Sequence, residues 1–149
     1  MAKSLHWIDE KYEEFPNFLD SITDNFFKVR DYLVEEIKKL KMPMKPIVPE
    51  GGYFLLLDVS ECRDYVPQKY FESNEYEEGE THIVKNDFGL PVPFDLAFSR
   101  WLMMEKKVTT MPGTLFYAFD SPYKKDNIVR MGICRGMKTA EEAIKRLSE

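Results

Sequence analysis

The segment GGYFLLLDVS, residues 51–60, carries an almost unbroken apolar run from Tyr53 to Val59. Two glycines precede this run, and its short length between turn residues is typical of a β-strand rather than a helix. Because nearly every position is apolar, we expect a strand that is buried on both faces. The rest of the chain is expected to pack around it.

Composition places the chain among globular domains. Its 149 residues are 44% hydrophobic and 14% aromatic, which is enough for a core and too apolar for a disordered chain. The net charge of −5 argues against a generic nucleic-acid binder, and no apolar run reaches the length of a membrane span. The two histidines lie far apart and the two cysteines form no CxxC pair, so the sequence predicts no metal site.

A second strand is expected within NIVRMGICRG, residues 127–136. Strand side chains alternate between faces, so Arg130 shares a face with Ile128, Gly132 and Cys134. In one interpretation the strand lies at an edge of the sheet and the guanidinium reaches water, which is the commoner arrangement for such a pattern. In the other, the strand borders a cleft, Gly132 leaves room for a ligand, and the planar guanidinium binds an anion.

Two helices are expected before the first strand. Asn17 can cap a long helix in which apolar residues recur at three- and four-residue steps as far as Lys41. Residues 2–14 show a similar spacing in Leu5, Ile8 and Tyr12, which predicts an N-terminal helix.

The second half of the chain predicts two more helices and a short strand. Pro93 can begin a helix, VTTMPG predicts the strand, and TAEE, Thr139–Glu142, matches a capping box for a last helix. Residues 61–92 lack periodicity and contain five glutamates within ESNEYEEGE, which predicts a long acidic surface loop. An acidic docking site is the alternative for this loop. The whole order predicts one domain, a small sheet packed with helices.

Four blocks of the sequence occur in the same order in a known protein family. They are MKPIVPEGGYFLLLDVS, a helix ending FSRWLMMEKKV, MPGTLFY and VRMGIC, followed by a closing helix. This order resembles the C-terminal part of class I/II (fold type I) aminotransferases, which depend on pyridoxal phosphate. In particular it resembles the kynurenine aminotransferases, also called glutamine transaminase K or cysteine-S-conjugate β-lyase. The likeness runs from about Met1 to Ser148, and residues 1–149 are expected to form a single domain.

The resemblance implies an α+β fold, with a small, mostly antiparallel sheet of three to four strands. In that family the arginine of the matching strand binds the substrate α-carboxylate, which implies this role for Arg130. The aromatic residue after the Pro-Gly turn lies near the substrate side chain, which points to Phe116. Residues 1–15 are expected to form a helix that packs on a larger domain.

The same resemblance places the lysine that holds pyridoxal phosphate in that larger domain, outside this sequence. No catalytic, cofactor-binding or metal-binding residue is therefore expected here, and the isolated chain is predicted to be inactive and to bind no cofactor. Whether the working protein is an enzyme depends on the missing domain.

Two functions remain open from the sequence. The chain is either the substrate-carboxylate-binding small domain of a kynurenine/glutamine-type aminotransferase, or a stand-alone, non-catalytic descendant that serves as a structural or interaction subunit of a larger assembly. In both cases Leu5, Ile8 and Tyr12 are expected to contact a partner, either the missing domain or another protein. The parent enzyme is expected to be an intracellular homodimer, cytoplasmic or mitochondrial, without nucleic-acid or membrane contacts.

Overall fold

A four-stranded antiparallel sheet forms the centre of the chain in the computed structural model, which describes residues 8–72, 92–118 and 121–149. The strand order is β1-β2-β4-β3. The strands are β1 (Lys45–Ile47), β2 (Phe54–Asp58), β3 (Met111–Pro112) and β4 (Ile128–Gly132). The prediction of an α+β fold with a small antiparallel sheet is thus confirmed.

Helices and tight helical turns connect these strands. Within the described ranges, the α-helices are α1 (Phe18–Ile37), α2 (Lys69–Glu72), α3 (Phe94–Trp101) and α4 (Met137–Ser148). A π-helical turn, Leu102–Lys106, follows α3 directly. 3₁₀ turns occupy Ser60–Tyr65 and Gly113–Phe116, and the second of these follows β3 without a break.

The two faces of the sheet differ, contrary to the prediction that the strand at residues 53–59 is buried on both. Leu55 and Leu57 of β2 are completely buried, whereas Phe54, Leu56 and Asp58 are only half-buried. The buried pair belongs to one apolar core shared with side chains of α1, α3 and α4. Because the opposite face has no such cover within the described chain, burial follows the two-residue alternation of the strand. We call this second face the open face.

The long helix α1 confirms the prediction made from its apolar spacing and its cap. The Asn17 side chain accepts a hydrogen bond from the Asp20 backbone N–H at 3.0 Å, which satisfies one of the donors at the helix start. The helix ends at Ile37, four residues before the predicted end at Lys41. Tighter turn bonds replace the helical ones there, with the Leu40 N–H donating to the Ile37 carbonyl at 3.2 Å.

The helix predicted for residues 2–14 is absent from residues 8–14, the part of it that the structure describes. Tyr12 and Phe15 instead exchange two backbone hydrogen bonds, of 3.2 and 2.9 Å, and Glu13 between them takes a positive φ of 51°. Pro16 disfavours helical geometry in the residue before it. A helix this short also needs extensive packing, and Ile8 and Tyr12 stay 45% and 40% exposed among the described residues.

The capping-box prediction is also wrong, because α4 begins before Thr139. Gly136 is the N-cap, and its carbonyl accepts a bond from the Thr139 N–H at 2.9 Å, so Thr139 lies inside the first turn. The earlier start lets Met137 pack against the core, which outweighs the local capping motif.

The segment predicted as an acidic loop over 61–92 begins with ordered helical turns. Cys62 and Val66 are buried in this part, which therefore contributes to the core instead of forming surface loop throughout. Residues 73–91, with most of the glutamates, lie outside the described residues.

A close approach between the 3₁₀ turn and β4 provides a test of the packing. A Cβ atom added at Gly113 would lie 2.6 Å from the Ile128 carbonyl oxygen, a backbone atom that cannot move alone. We expect Gly113→Ala to lower the free energy of unfolding by about 1–3 kcal/mol, measured by urea denaturation. Gly51→Ala is the matched control, because open space surrounds that position, and it should change stability by less than about 0.5 kcal/mol. Equal stability of the two variants would contradict the close approach.

The two free cysteines differ in exposure, which predicts selective labelling. Cys62 is completely buried, and burial raises the pKa of its thiol to about 12 with smaller contributions from Glu61 and Asp58, while Cys134 is exposed. A reagent in solution therefore reaches the thiol of Cys134 and not the buried thiol of Cys62. Iodoacetamide at mildly alkaline pH should add one group to the native protein by intact mass, and none to Cys134→Ser. A second adduct on the native protein would refute this.

Candidate functional site

Arg130 lies on the open face of an interior strand, so the interpretation that places it at the sheet edge is wrong. It is paired with Leu56 of β2 on one side and with Met111 of β3 on the other. The side chain is half-buried. The charge is thus held over the sheet and not at its solvent-exposed border.

Two aromatic rings contact the guanidinium of Arg130. Its central carbon lies 4.1 Å from the centroid of the Phe54 ring and 4.0 Å from that of Phe116. Phe54 comes from β2, paired with Gly132, and Phe116 ends the 3₁₀ turn after β3. Such cation–π contacts hold the guanidinium through its face. Its N–H donors lie in its own plane and stay available to an acceptor.

Arg130 forms no ion pair with any carboxylate of the described residues. Among the described residues, Arg30 and Arg146 do pair with carboxylates. Arg30 contacts Asp31 at 2.7 Å, and Arg146 contacts Glu142 at 2.8 Å. A half-buried cation held by rings alone is well suited to an external anion, which can supply the missing charge partner.

A groove of about 760 Å³ is lined by Arg130 together with side chains of α1, of α4 and of the segment that follows the π-helical turn. Its lining contains five cations and a single carboxylate: Lys107, Arg130, Arg135, Lys138, Arg146 and Glu142. On a chain with a net charge of −5, this is a local reversal of sign. Charge of one sign lining a groove concentrates counter-ions there, so the groove attracts anions.

The turn that carries Phe116 is attached to α3 through Asp95. This carboxylate is completely buried and accepts the Thr114 N–H at 2.7 Å, the Thr114 hydroxyl at 3.0 Å and the Leu96 N–H at 2.9 Å. Burial raises the pKa of Asp95 above its usual value, although the hydrogen bonds from Thr114 and Leu96 act in the opposite direction. Phe116 itself is 53% exposed. The hydrogen bonds to Asp95 therefore hold the beginning of the turn, at Thr114, and not its end.

The structure therefore brings Arg130 and Phe116 together, the two residues singled out from the sequence. Phe54 was missed because it stands in an apolar run that predicted burial on both faces; strict two-residue alternation would have put it on the face of Leu56. The groove cations were missed because Lys107, Arg135 and Lys138 belong to separate elements.

The predicted partner-binding residues are in part exposed. Ile8 and Tyr12 are 45% and 40% exposed, and Leu5 lies outside the described residues. The Tyr12 ring contacts Phe18 edge to face, with centroids 5.1 Å apart. In the described chain, the side chains of Ile8 and Tyr12 are thus accessible to a partner.

The residues that the structure describes include no candidate metal centre and no helix able to span a membrane. No group of three or more His, Cys, Asp or Glu side chains there could hold a metal ion. None of the helices in the described ranges combines the length and hydrophobicity needed to cross a bilayer.

Known proteins similar to this chain are aminotransferases. No family model matches it. Kynurenine–oxoglutarate transaminase 3 of Bos taurus is 29% identical over 147 residues, which cover 95% of this chain and 28% of that protein. The chain spans about a quarter of the length of the curated relatives it matches.

Solved structures show the same likeness. Bna3p of Saccharomyces cerevisiae, a candidate kynurenine aminotransferase, is 26% identical with a TM-score of 0.59, over 87% of this chain and 26% of that one. Aspartate aminotransferase of Thermotoga maritima shares the fold at 22% identity and a TM-score of 0.55, over 87% of this chain and 24% of that one. The resemblance expected from the motifs is confirmed: this chain is homologous to part of the kynurenine–oxoglutarate transaminases and has an aminotransferase fold.

Proposed function

We propose that this chain is the substrate-carboxylate-binding part of a kynurenine-type aminotransferase and is catalytically incomplete by itself. Arg130 binds the α-carboxylate of the amino acid or keto acid, and Phe116 borders the substrate side chain. The observation that carries the proposal is the guanidinium of Arg130, which contacts two rings, has no described carboxylate partner and faces an electropositive groove.

The chemistry of Arg130 suits this role. A guanidinium stays charged at any physiological pH and offers parallel N–H donors that match the two oxygens of a carboxylate. Contacts with Phe54 and Phe116 restrict the side chain before the ligand arrives, so less entropy is lost on binding. The rings also exclude water on their side, which strengthens the ion pair.

The other cations of the groove attract an anionic substrate but do not recognise it specifically. Lys107, Arg135 and Lys138 are exposed, and the field of exposed charges is screened over about 8 Å at physiological salt. They raise the local concentration of anions, whereas half-buried Arg130 provides the specific contact. Salt should therefore weaken the contribution of the exposed cations more than that of Arg130.

Aminotransferases use pyridoxal phosphate, which accepts the amino group of one substrate and passes it to another. Such cofactors are held by an imine to a lysine, with an acidic or basic partner on the ring nitrogen. None of the lysines that the structure describes is buried, which supports the proposal that this chain does not itself hold the cofactor. We therefore assign substrate binding to this chain and leave the amino transfer to the missing part of the enzyme.

Binding to the isolated chain tests the role of Arg130. We expect kynurenine to shift the Nε–Hε cross-peak of Arg130 in spectra of ¹⁵N-arginine-labelled protein, and Arg130→Gln to weaken binding about tenfold or more, because a charge-assisted hydrogen bond contributes about 1.5–3 kcal/mol. Arg135→Gln removes an exposed cation of the same groove and should weaken binding far less.

Kynurenamine, which lacks the carboxylate, provides the ligand control and should leave the Arg130 cross-peak in place. Equal binding of both ligands would contradict carboxylate recognition. Equal losses in Arg130→Gln and Arg135→Gln would show that the groove attracts anions only through its overall charge. Added pyridoxal phosphate should give the isolated chain no transfer of amino groups from kynurenine to 2-oxoglutarate.

The second candidate function, an interaction subunit without catalysis, is favoured by the exposure of Ile8 and Tyr12. Both candidates use this surface, so the size of the native polypeptide separates them. A native chain of several hundred residues supports the transaminase part, and a native chain of 17.6 kDa within a larger particle supports the subunit. The expected compartment, cytoplasm or mitochondrion, stays a prediction.

A further inference from the structure

We propose that Asp95 is a positioning residue of the Arg130 site, which holds Phe116 against the guanidinium through its hydrogen bonds to Thr114. This inference rests on the proposed function for its significance, because Phe116 is one of the two residues assigned to substrate binding. The hydrogen bonds and the ring contact on which it is based lie within the chain itself.

Asp95 lies in the first turn of α3 and binds Thr114 through both of its carboxylate oxygens. Its Oδ2 accepts the Thr114 N–H at 2.7 Å, and its Oδ1 accepts the Thr114 hydroxyl at 3.0 Å. An ionised carboxylate is an acceptor at both oxygens, so it can hold the backbone and the side chain of one residue at the same time. Burying a carboxylate is costly, and an ordinary turn needs no such group.

A second contact fixes the same part of the turn from the opposite direction. Gly113 lies so close to β4 that an added Cβ would be 2.6 Å from the carbonyl oxygen of Ile128, two residues before Arg130. Thr114 is 2% exposed. The turn is thus fixed between α3 and the strand that carries Arg130.

The residues beyond these contacts depend on them. Leu115 and Phe116 are 44% and 53% exposed, so core packing does not hold the Phe116 ring in place. The Tyr117 N–H closes the turn by donating to the Thr114 carbonyl at 3.4 Å. The position of Phe116 is therefore set by a turn whose fixed point is Thr114, and Thr114 is fixed by Asp95.

The two rings on Arg130 thus have different supports, and this difference makes the inference testable. Phe54 belongs to the central ladder, where it is paired with Gly132. Phe116 depends on the bonds from Asp95. Weakening those bonds should move one ring away from the guanidinium and leave the other in contact.

The experiment is an NMR measurement on the full chain without ligand, with arginine labelled by ¹⁵N. The Nε–Hε cross-peak of Arg130 is identified by its loss in Arg130→Lys and reports the ring-current shift of both neighbours. Phe116→Leu and Phe54→Leu define the shifts that are lost when each ring is removed. Backbone amide spectra of β2 and β4 report whether the sheet is intact.

We expect Asp95→Asn and Thr114→Val to move the Arg130 cross-peak toward its position in Phe116→Leu, while Thr114→Ser, which keeps the hydroxyl, retains the wild-type position. Thr114→Val preserves the shape of the side chain and the Asp95 carboxylate, so it decides the question if Asp95→Asn does not fold. Because cation–π contacts at exposed sites contribute about 0.5–1 kcal/mol, Thr114→Val should also weaken kynurenine binding by roughly two- to fivefold.

An unchanged Arg130 cross-peak in both Asp95→Asn and Thr114→Val would overturn the inference, as would movement toward the position in Phe54→Leu. Failure of the proposed function gives a different result. In that case the wild-type chain does not bind kynurenine at all, while the ligand-free cross-peaks still follow Asp95 and Thr114.

Discussion

The pairing of β2 with β4 is the contact on which the rest of the structure depends. Its register sets Leu55 opposite Met131 and Leu56 opposite Arg130, so the buried and the open sides of both strands coincide. A shift by one residue would turn Arg130 into the apolar core and expose Met131. The core, the groove and the position of the charge thus follow from one ladder, which β1 and β3 only extend.

Much of this fold can be predicted from the sequence, and the exceptions have physical reasons. The α1 helix was predictable because its apolar pattern is long and Asn17 supplies a cap. Which side of β2 stays open could not be predicted, because it depends on where the helices pack. At Thr139 a capping motif was overruled by the packing of Met137. Residues 8–14 have helical spacing without a surface on which to bury it.

The candidate site, too, could be predicted only in part from the sequence. Arg130 and Phe116 could be named from the sequence because their blocks resemble those of a known family. The second ring, Phe54, could not be assigned a face from an unbroken apolar run. Asp95 gave no local signal, since its partner Thr114 stands on another element and only the folded chain brings them together. Motifs could thus be identified from the sequence, whereas contacts between separate elements could not.

The difference between the two faces of the sheet has a consequence for how the chain evolves. Along β4, Val129 and Met131 belong to the core, whereas Arg130 and Gly132 face outward. Substitutions at adjacent positions therefore have unlike consequences, because those on one side disturb the core and those on the other change only the open face. Neighbouring positions of a single strand thus tolerate different replacements: the core positions require apolar side chains of similar size, whereas the open-face positions accept changes of size and charge without loss of the fold.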